Sequence, residues 1–580
     1  MVPSLHCFGF RLTIIIKALD RTSIGCELSN TTKSDDTISL AKKWIAECSS
    51  THKQCKTPST NKRWYPTRLV DCGVLGDSEP LCRLIETRAT ILDGPYLTLS
   101  HCWGLAKCLQ LTADNYDELL GGIPLRQLPQ LYQDATYVTL KLGIRHIWID
   151  SLCIIQEGDE SADWRREVGL MSKVYSNSFC NISALDAPDG NHSLFSSRNP
   201  DAHRPQITNL NFDGHLTQYL VSDNMFWATE IHRARVNTRA WVLQERLLCP
   251  RILNFGERQM FWECREKDAA EVYPGGLPPV MPSEATRFKD LVPQESVATS
   301  MSGSHLEARF LWARIVRAYS ACHLTFPGDK LIALSAVVDI MSPILEDECV
   351  AGMWRRYLEC ELLWSVTANL AGKLPRPEVY RAPSWSWAAV DGVISPSWPG
   401  NRAVDELFVV EGLHLEYSAE CKSGPLYGGW LRLRGVLKKL ELMPMAVSLD
   451  GSNFHHSAIN YGGWKMVVNG VTVSVPQLSG EVQPFITLDS YQADFDRQNS
   501  EGALYCMPGR LHRDAVNLDD EEVDVLLLEL EDRERGVFRR IGLARGVGQE
   551  VAGNILARDM GDPNLPCEEY QDGKHLICII

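Results

Sequence analysis

Between residues 96 and 185 the chain switches repeatedly between the two-residue rhythm of a strand and the 3.6-residue rhythm of a helix, which restricts the fold more than any other feature. Residues 96–100 (YLTLS) form a short β-type run. Leu131, Ala135, Val138 and Leu142 then recur at helical spacing, and Gly143 supplies a natural helix stop. Ile147, Trp148 and Ile149 make the compact apolar run of a buried strand. Trp164, Val168, Met171 and Tyr175 return to the i, i+4, i+7, i+11 pattern, and residues 178–185 (SFCNISAL) read as a third strand. Strand, helix, strand, helix, strand with right-handed crossovers gives a parallel sheet covered by helices. The expected fold class is α/β, a parallel-type sheet flanked by helices.

At 580 residues the chain is too long for one hydrophobic core, so two or three units are expected. Residues 1–90 read as an irregular lead-in with one helical patch near Ser39 to Ser49. Residues 96–265 form the α/β domain, with core motifs in 96–246. This domain includes a polar insertion at 186–236, a helix near 239–248, and a hairpin from RILNFG and QMFWEC that turns at Gly256 and Glu257. Residues 270–304, rich in Pro and Ser, read as a linker. Residues 305–400 read as a helical accessory region with Trp312, Val316 and Tyr319 on one face. That region ends in PSWSW (383–387), expected to pack against the α/β domain. From 404 to 580 the alternation of Leu431 and Leu433 with Arg432 and Arg434, and runs such as VDVLLLELE, predict a β-rich region.

The balance of 58 basic and 73 acidic side chains, net −15, leaves no basic footprint for general nucleic-acid binding, and no nucleic-acid partner is expected. Leu12 to Ile16 is apolar but bracketed by Arg11 and Lys17, and no stretch reaches the roughly 18 apolar residues of a membrane helix. The 19 cysteines are scattered through apolar segments, which fits reduced thiols in a cytosolic protein. The expectation is a cytoplasmic protein with no membrane association.

Four segments in order resemble the fungal HET (heterokaryon incompatibility) family: YLTLSHCWG (96–104), IWIDSLCIIQ (147–156), DWRREVGLMSKVYSNSFCNISAL (163–185) and RAWVLQERLLCPRILNF (239–255). The flanking WIAECSSTHKQC, YSACHLTFPGDKLIALSAV and APSWSWAAVDG segments also resemble long members, so the likeness covers most of residues 44–392, while the β-rich tail fits only loosely. The resemblance implies a fungal source and a signalling or effector role in non-self recognition and programmed cell death.

In an open parallel sheet, ligands bind beyond the carboxyl ends of the strands. His101 follows the first strand, Asp150 and Ser151 close the second, and Ser183 lies near the end of the third. Trp241 and Glu245, spaced i, i+4, share one face of the helix near 239–248. This W-x-x-x-E helix is similar, more distantly, to that of TIR domains, where a Trp-led helix carries a glutamate that serves NAD-cleaving members. That likeness implies a TIR-like sheet with Glu245 as catalytic carboxylate, joined by Asp150 and His101. It implies NAD as a substrate, with no bound cofactor. Trp103 or Trp241 would stack on a flat base, Arg239 would hold a phosphate oxygen, and Ser151 would complete the binding set. The chain departs from TIR in its long insertion and in Trp-Val where TIR has Trp-Cys. Each residue also has a plainer role open to it: Glu245 as a packed or salt-bridged helix residue, His101 as a structural histidine beside a Trp-Gly turn, Asp150 as a helix cap or loop brace. Two functions therefore compete. One is an NAD glycohydrolase; the other is a non-catalytic assembly module that recruits signalling proteins or further copies of itself. A close-packed pocket joining His101, Asp150, Trp241 and Glu245 favours the first, and a filled sheet edge with Glu245 facing solvent favours the second.

Cys48, His52 and Cys55 give C-x3-H-x2-C with Cys72 downstream. That pattern raises a zinc site, but the spacing matches no standard ribbon or finger and no second C-x2-C pair follows; because the lead-in resembles that of long HET proteins, the resemblance implies a packing feature, and no metal is expected. Cys153, beside Asp150 and near His101, raises a thiol hydrolase, but its LCII context predicts a buried thiol with a raised pKa. No nucleotide-binding P-loop is present in the sequence.

Overall fold

A computed structural model describes strand segments 4–7 and 10–16 and residues 28–55, 63–74, 80–105, 108–203, 206–212, 215–223, 225–278, 287–291, 304–367, 375–397, 403–417, 425–444, 464–473, 475–477, 480–482, 484–490, 502–513, 521–557 and 561–580. The chain divides into two compact units, Met1–Val292 and Pro293–Ile580.

The first unit is built on a nine-stranded mixed sheet. Its elements are α1 (Asp35–Thr51), β1 (Arg68–Asp71), β2 (Leu81–Glu86), β3 (Tyr96–Ser100), β4 (Ile123–Pro124), α2 (Gln130–Lys141), β5 (His146–Trp148), α3 (Asp150–Cys153), α4 (Ala162–Val168), α5 (Met171–Ser176), β6 (Cys180–Ala184), α6 (Ala240–Leu248), β7 (Arg251–Phe255), β8 (Met260–Cys264) and β9 (Asp268–Ala270). The order across the sheet is β9-β8-β7-β6-β3-β5-β1-β2-β4. β5, β3, β6 and β7 run parallel, as the sequence predicts. The strands added on both sides are antiparallel, so the expected parallel sheet is only the centre of a mixed one. β7 and β8 form the expected hairpin, with Phe255 opposite Met260.

Three differences from the sequence reading have physical causes. The lead-in is more ordered than expected, because β1 and β2 extend the sheet through β5. Arg68 anchors β1: buried among Asp163 and Glu167, it donates Nε to the Cys153 carbonyl at 2.8 Å. The helix expected through Trp164 and Tyr175 is two helices, broken at Gly169. The insertion at 186–236 is not merely polar: Trp227, Ile231 and Val236 are buried against Val242 of α6 and Phe261 of β8. Leu12 to Ile16 lies within a strand, Phe10–Ile16, paired antiparallel with His215–Asp223 of the insertion. Of the segment read as a linker, residues 279–286 and 292–303 lie outside the described residues, and Phe288–Leu291 forms a 3-10 turn.

The second unit combines helices such as Ser304–Ser320 and Ser335–Leu345 with a twelve-stranded, largely antiparallel sheet that carries the expected β-rich tail. Leu431 and Leu433 are fully buried, while Arg432 and Arg434 pair with Glu568 and Glu411 at the surface. Trp385 and Trp387 of PSWSW find hydrogen-bond partners within their own unit. The Trp387 indole donates to the Gly352 carbonyl at 2.8 Å, and Trp364 donates to the Trp385 carbonyl at 2.9 Å. Among the described residues, no helix is long and apolar enough to cross a membrane.

Candidate functional site

The chain leaves β3 toward β5 on one side and returns to β6 on the other. This reversal makes the carboxyl end of β3 the switch point of the parallel core, where open α/β sheets bind ligands. Side chains alternate along β3, so its last residue and the next face opposite ways. Tyr96 and Ser100 face α5 and α6: the Tyr96 hydroxyl donates to the Val174 carbonyl, and Ser100 meets Glu245. His101 turns to α2, where its Nε2 lies 3.0 Å from the Tyr132 hydroxyl.

Glu245 is the deepest acid at this edge, 5% exposed. Its Oε2 accepts from the Ser100 hydroxyl at 2.5 Å. Ser100 in turn accepts from Asn181 Nδ2 at 2.9 Å, and Asn181 Oδ1 accepts from Thr98 at 2.8 Å. The Tyr175 hydroxyl faces the same pair. Burial pushes the Glu245 carboxyl up to about 7; the Asp150 charge adds to the rise, while Ser100, Arg239 and Tyr175 oppose it.

Asp150 opens α3 and is part exposed. Its Oδ1 accepts from the Ser151 amide at 2.8 Å and its Oδ2 from the Trp103 indole at 2.9 Å. The bracing role is therefore real, and it fixes Trp103 beside Asp150. Asp150 Oδ1 lies 3.8 Å from Nδ1 of His101. That nitrogen is buried and has no hydrogen-bond partner. Burial lowers the His101 pKa to about 4, with Asp150 opposing, so the ring is neutral at physiological pH. Ser151 joins the same chain, its hydroxyl 2.8 Å from that of Tyr132.

Arg239 caps α6 and donates Nη1 to the His101 carbonyl, pinning the loop after β3. Trp241 is half-buried and packs edge-on against Trp164, ring centroids 6.5 Å apart. α6 itself is locked to β8 by the buried pair of Arg246 and Glu263, with Arg246 Nε 2.9 Å from Glu263 Oε2. Lys289 donates to the carbonyls of Arg246 and Cys249 at the helix end.

The residues singled out from sequence thus gather at one sheet edge, but on two sides of it: Glu245, Arg239 and Trp241 with α6, and His101 and Ser151 with α2, Asp150 acting on both. Ser183 sits in register beside Ser100, buried. Cys153 is buried and its thiol is pushed up to about 12 by desolvation, which removes the thiolate a hydrolase needs. Sequence reading overlooked Ser100, Tyr132, Tyr175 and Asn181. Asn181, a polar amide inside a short strand of buried residues, is the signal that marks this buried polar network.

Residues 96–245 match the family model described as heterokaryon incompatibility protein (HET), a match that begins at the first residue of β3 and ends on Glu245. No curated protein and no solved structure gives a significant match to the chain.

Proposed function

The chain carries a heterokaryon-incompatibility (HET) domain over residues 96–245, and from that premise we propose that this domain cleaves NAD to nicotinamide and ADP-ribose, with Glu245 as the catalytic carboxylate. The single observation that carries the reading is the placement of Glu245, buried against Ser100 at the switch point of the parallel strands. A helix carboxylate with only a structural role is normally solvated or ion-paired. This one is held near neutrality by burial and steadied by hydroxyls.

The chemistry follows from charge. Breaking the bond between ribose C1′ and the nicotinamide nitrogen sends the electron pair to the departing neutral ring and leaves positive charge on the ribose. Ionised Glu245 beside C1′ stabilises that charge in a site of low dielectric. Water supplies the oxygen that completes ADP-ribose and releases one proton. His101 Nδ1, which has no hydrogen-bond partner, and Asp150 Oδ1, which also accepts from the Ser151 amide, lie 3.8 Å apart, a spacing that one ligand hydroxyl would bridge. Trp103 or Trp241 would stack on a flat base, and Arg239 would supply a cation for the pyrophosphate. Loss of NAD would be the death-associated output in non-self recognition, inside the cell, where the substrate is found. Self-association or other signalling proteins would serve as the trigger.

Incubating the purified full chain with NAD under crowding, with and without Glu245→Gln, tests this directly. Nicotinamide release by wild type and its loss in the variant are expected. No release by either, with incompatibility signalling preserved in the Glu245→Gln variant in cells, would establish a non-catalytic assembly module. Equal release by both would remove Glu245 from its role.

A further inference from the structure

The C-x3-H-x2-C segment finds in the fold the fourth ligand that its spacing lacks. Cys48 lies in the last turn of α1, and His52 is its C-cap, with its amide bonded to the Cys48 carbonyl at 3.2 Å. Cys55 follows in the next turn. Cys264, the last residue of β8, arrives 212 positions after His52, with its Sγ 3.3 Å from His52 Nδ1. One ligand atom from each of the four residues lies within 4.8 Å of all the others. Cys72, the downstream candidate, lies elsewhere, beside Cys82 and Thr136.

We propose that Cys48, His52, Cys55 and Cys264 bind one structural zinc ion that ties α1 to the sheet. Tetrahedral zinc held by three sulfurs and one nitrogen sets neighbouring ligand atoms about 3.5–3.8 Å apart, from bond lengths of about 2.3 Å to sulfur and 2.0–2.1 Å to nitrogen. The His52 Nδ1 distances of 3.3 Å to Cys264 and 4.0 Å to Cys55 bracket that spacing. The three sulfurs are fully buried, while His52 is part exposed and gives the ion a way in.

The surroundings have the character of an outer shell around a thiolate-rich ion. Backbone amides of Arg265 and Glu266 donate to the Cys55 sulfur. Arg251 directs Nε to the Cys48 sulfur at 3.3 Å and Nη2 to the Cys55 carbonyl at 2.9 Å. Three thiolates and a neutral imidazole leave a zinc site with one net negative charge, and the Arg251 guanidinium offsets it. Glu266 accepts from the Gln54 amide at 2.6 Å, and Arg265 donates to the Gln54 carbonyl at 3.0 Å, clamping the two ligand-bearing turns together. All four ligands come from the protein, so the site is closed and structural rather than catalytic.

The full chain, purified with a reductant and without chelator, should contain about one zinc per molecule by mass spectrometric metal analysis. Cys264→Ser and His52→Ala should lower the content about tenfold or more, whereas Cys108→Ser should not. Because a ligand variant can misfold, cobalt(II) exchange into the wild type is the second measurement. Intense visible bands and sulfur-to-cobalt charge transfer of a tetrahedral thiolate site are expected, and His52→Cys should keep the stoichiometry while strengthening the charge transfer. Reduced, folded wild type without zinc and without cobalt–thiolate absorption would overturn the assignment. So would a disulfide among Cys48, Cys55 and Cys264, or zinc retained in full by Cys264→Ser.

Discussion

The Ser100 hydroxyl donates to the carboxylate of Glu245 at 2.5 Å, joining two residues 145 positions apart and closing α6 onto the end of β3. A hydrogen bond to an ionised group stabilises by about 1.5–3 kcal/mol, and here it also opposes the rise that burial imposes on the Glu245 pKa.

Ser100→Ala should therefore move the pH profile of NAD cleavage. With the hydroxyl in place, activity is expected to climb as pH rises through about 7, where Glu245 ionises. Without it, the midpoint shifts to higher pH while the maximal rate at alkaline pH changes less. A pH series of nicotinamide release reads this directly, and an unmoved midpoint would separate Ser100 from the Glu245 titration.

Glu245 and His101 should pull stability in opposite directions with pH. The folded state holds the Glu245 proton too tightly, so its contribution is fully present below about 4.5 and is lost as pH rises to about 7. The folded state holds the His101 proton too weakly, so its contribution is present above about 6.5 and is lost as pH falls to about 4. Each spans about 3 kcal/mol by linkage. Between pH 4.5 and 6.5 the two slopes offset each other. Glu245→Gln should unmask the His101 slope, giving a protein that gains stability with rising pH and exceeds wild type at about pH 8. Denaturant titrations at several pH values, followed by tryptophan fluorescence, would show it.

Removing one partner of the Arg246–Glu263 pair leaves a buried charge unpaired. Glu263→Gln or Arg246→Leu should each cost about 3–5 kcal/mol, and the loss should appear as a lower urea midpoint for the first unit. Because this pair holds α6 against β8, NAD cleavage should fall with it even though neither residue touches the proposed substrate.

Gly104 sits at φ +66°, and a Cβ there would meet Asp189 Cβ at 2.5 Å and the Pro188 carbonyl at 2.7 Å. Gly104→Ala should displace the turn that holds Trp103 over Asp150. The expected result is a destabilisation of at least about 1 kcal/mol and a rise in KM for NAD larger than the fall in kcat, measured by initial rates.

Periodicity made the centre of the first unit legible. YLTLS is β3 residue for residue, and the helical spacing from Leu131 gives α2, because a buried strand and an amphipathic helix each write their period into local sequence. The antiparallel additions were hidden, since β1 joins the sheet by pairing with β5, and β2 by pairing with β1, partners that lie far away in sequence or are themselves short. The split between α4 and α5 also escaped, as the helical spacing of Trp164, Val168, Met171 and Tyr175 runs on across Gly169, whereas α4 buries Asp163 and Glu167 instead.

The sequence alone determined which residue types reach the carboxyl edge of the sheet: a serine and histidine after β3, an aspartate after β5, and a Trp-led helix with a glutamate. Only the tertiary structure decided how they are shared. Alternation at the end of β3 turns Ser100 to α6 and His101 to α2, and burial rather than residue identity raises the acid and lowers the base. The same holds at the sheet's far side, where Cys264 meets Cys48, His52 and Cys55 because hydrogen bonding and packing, which act through space, bring distant segments together.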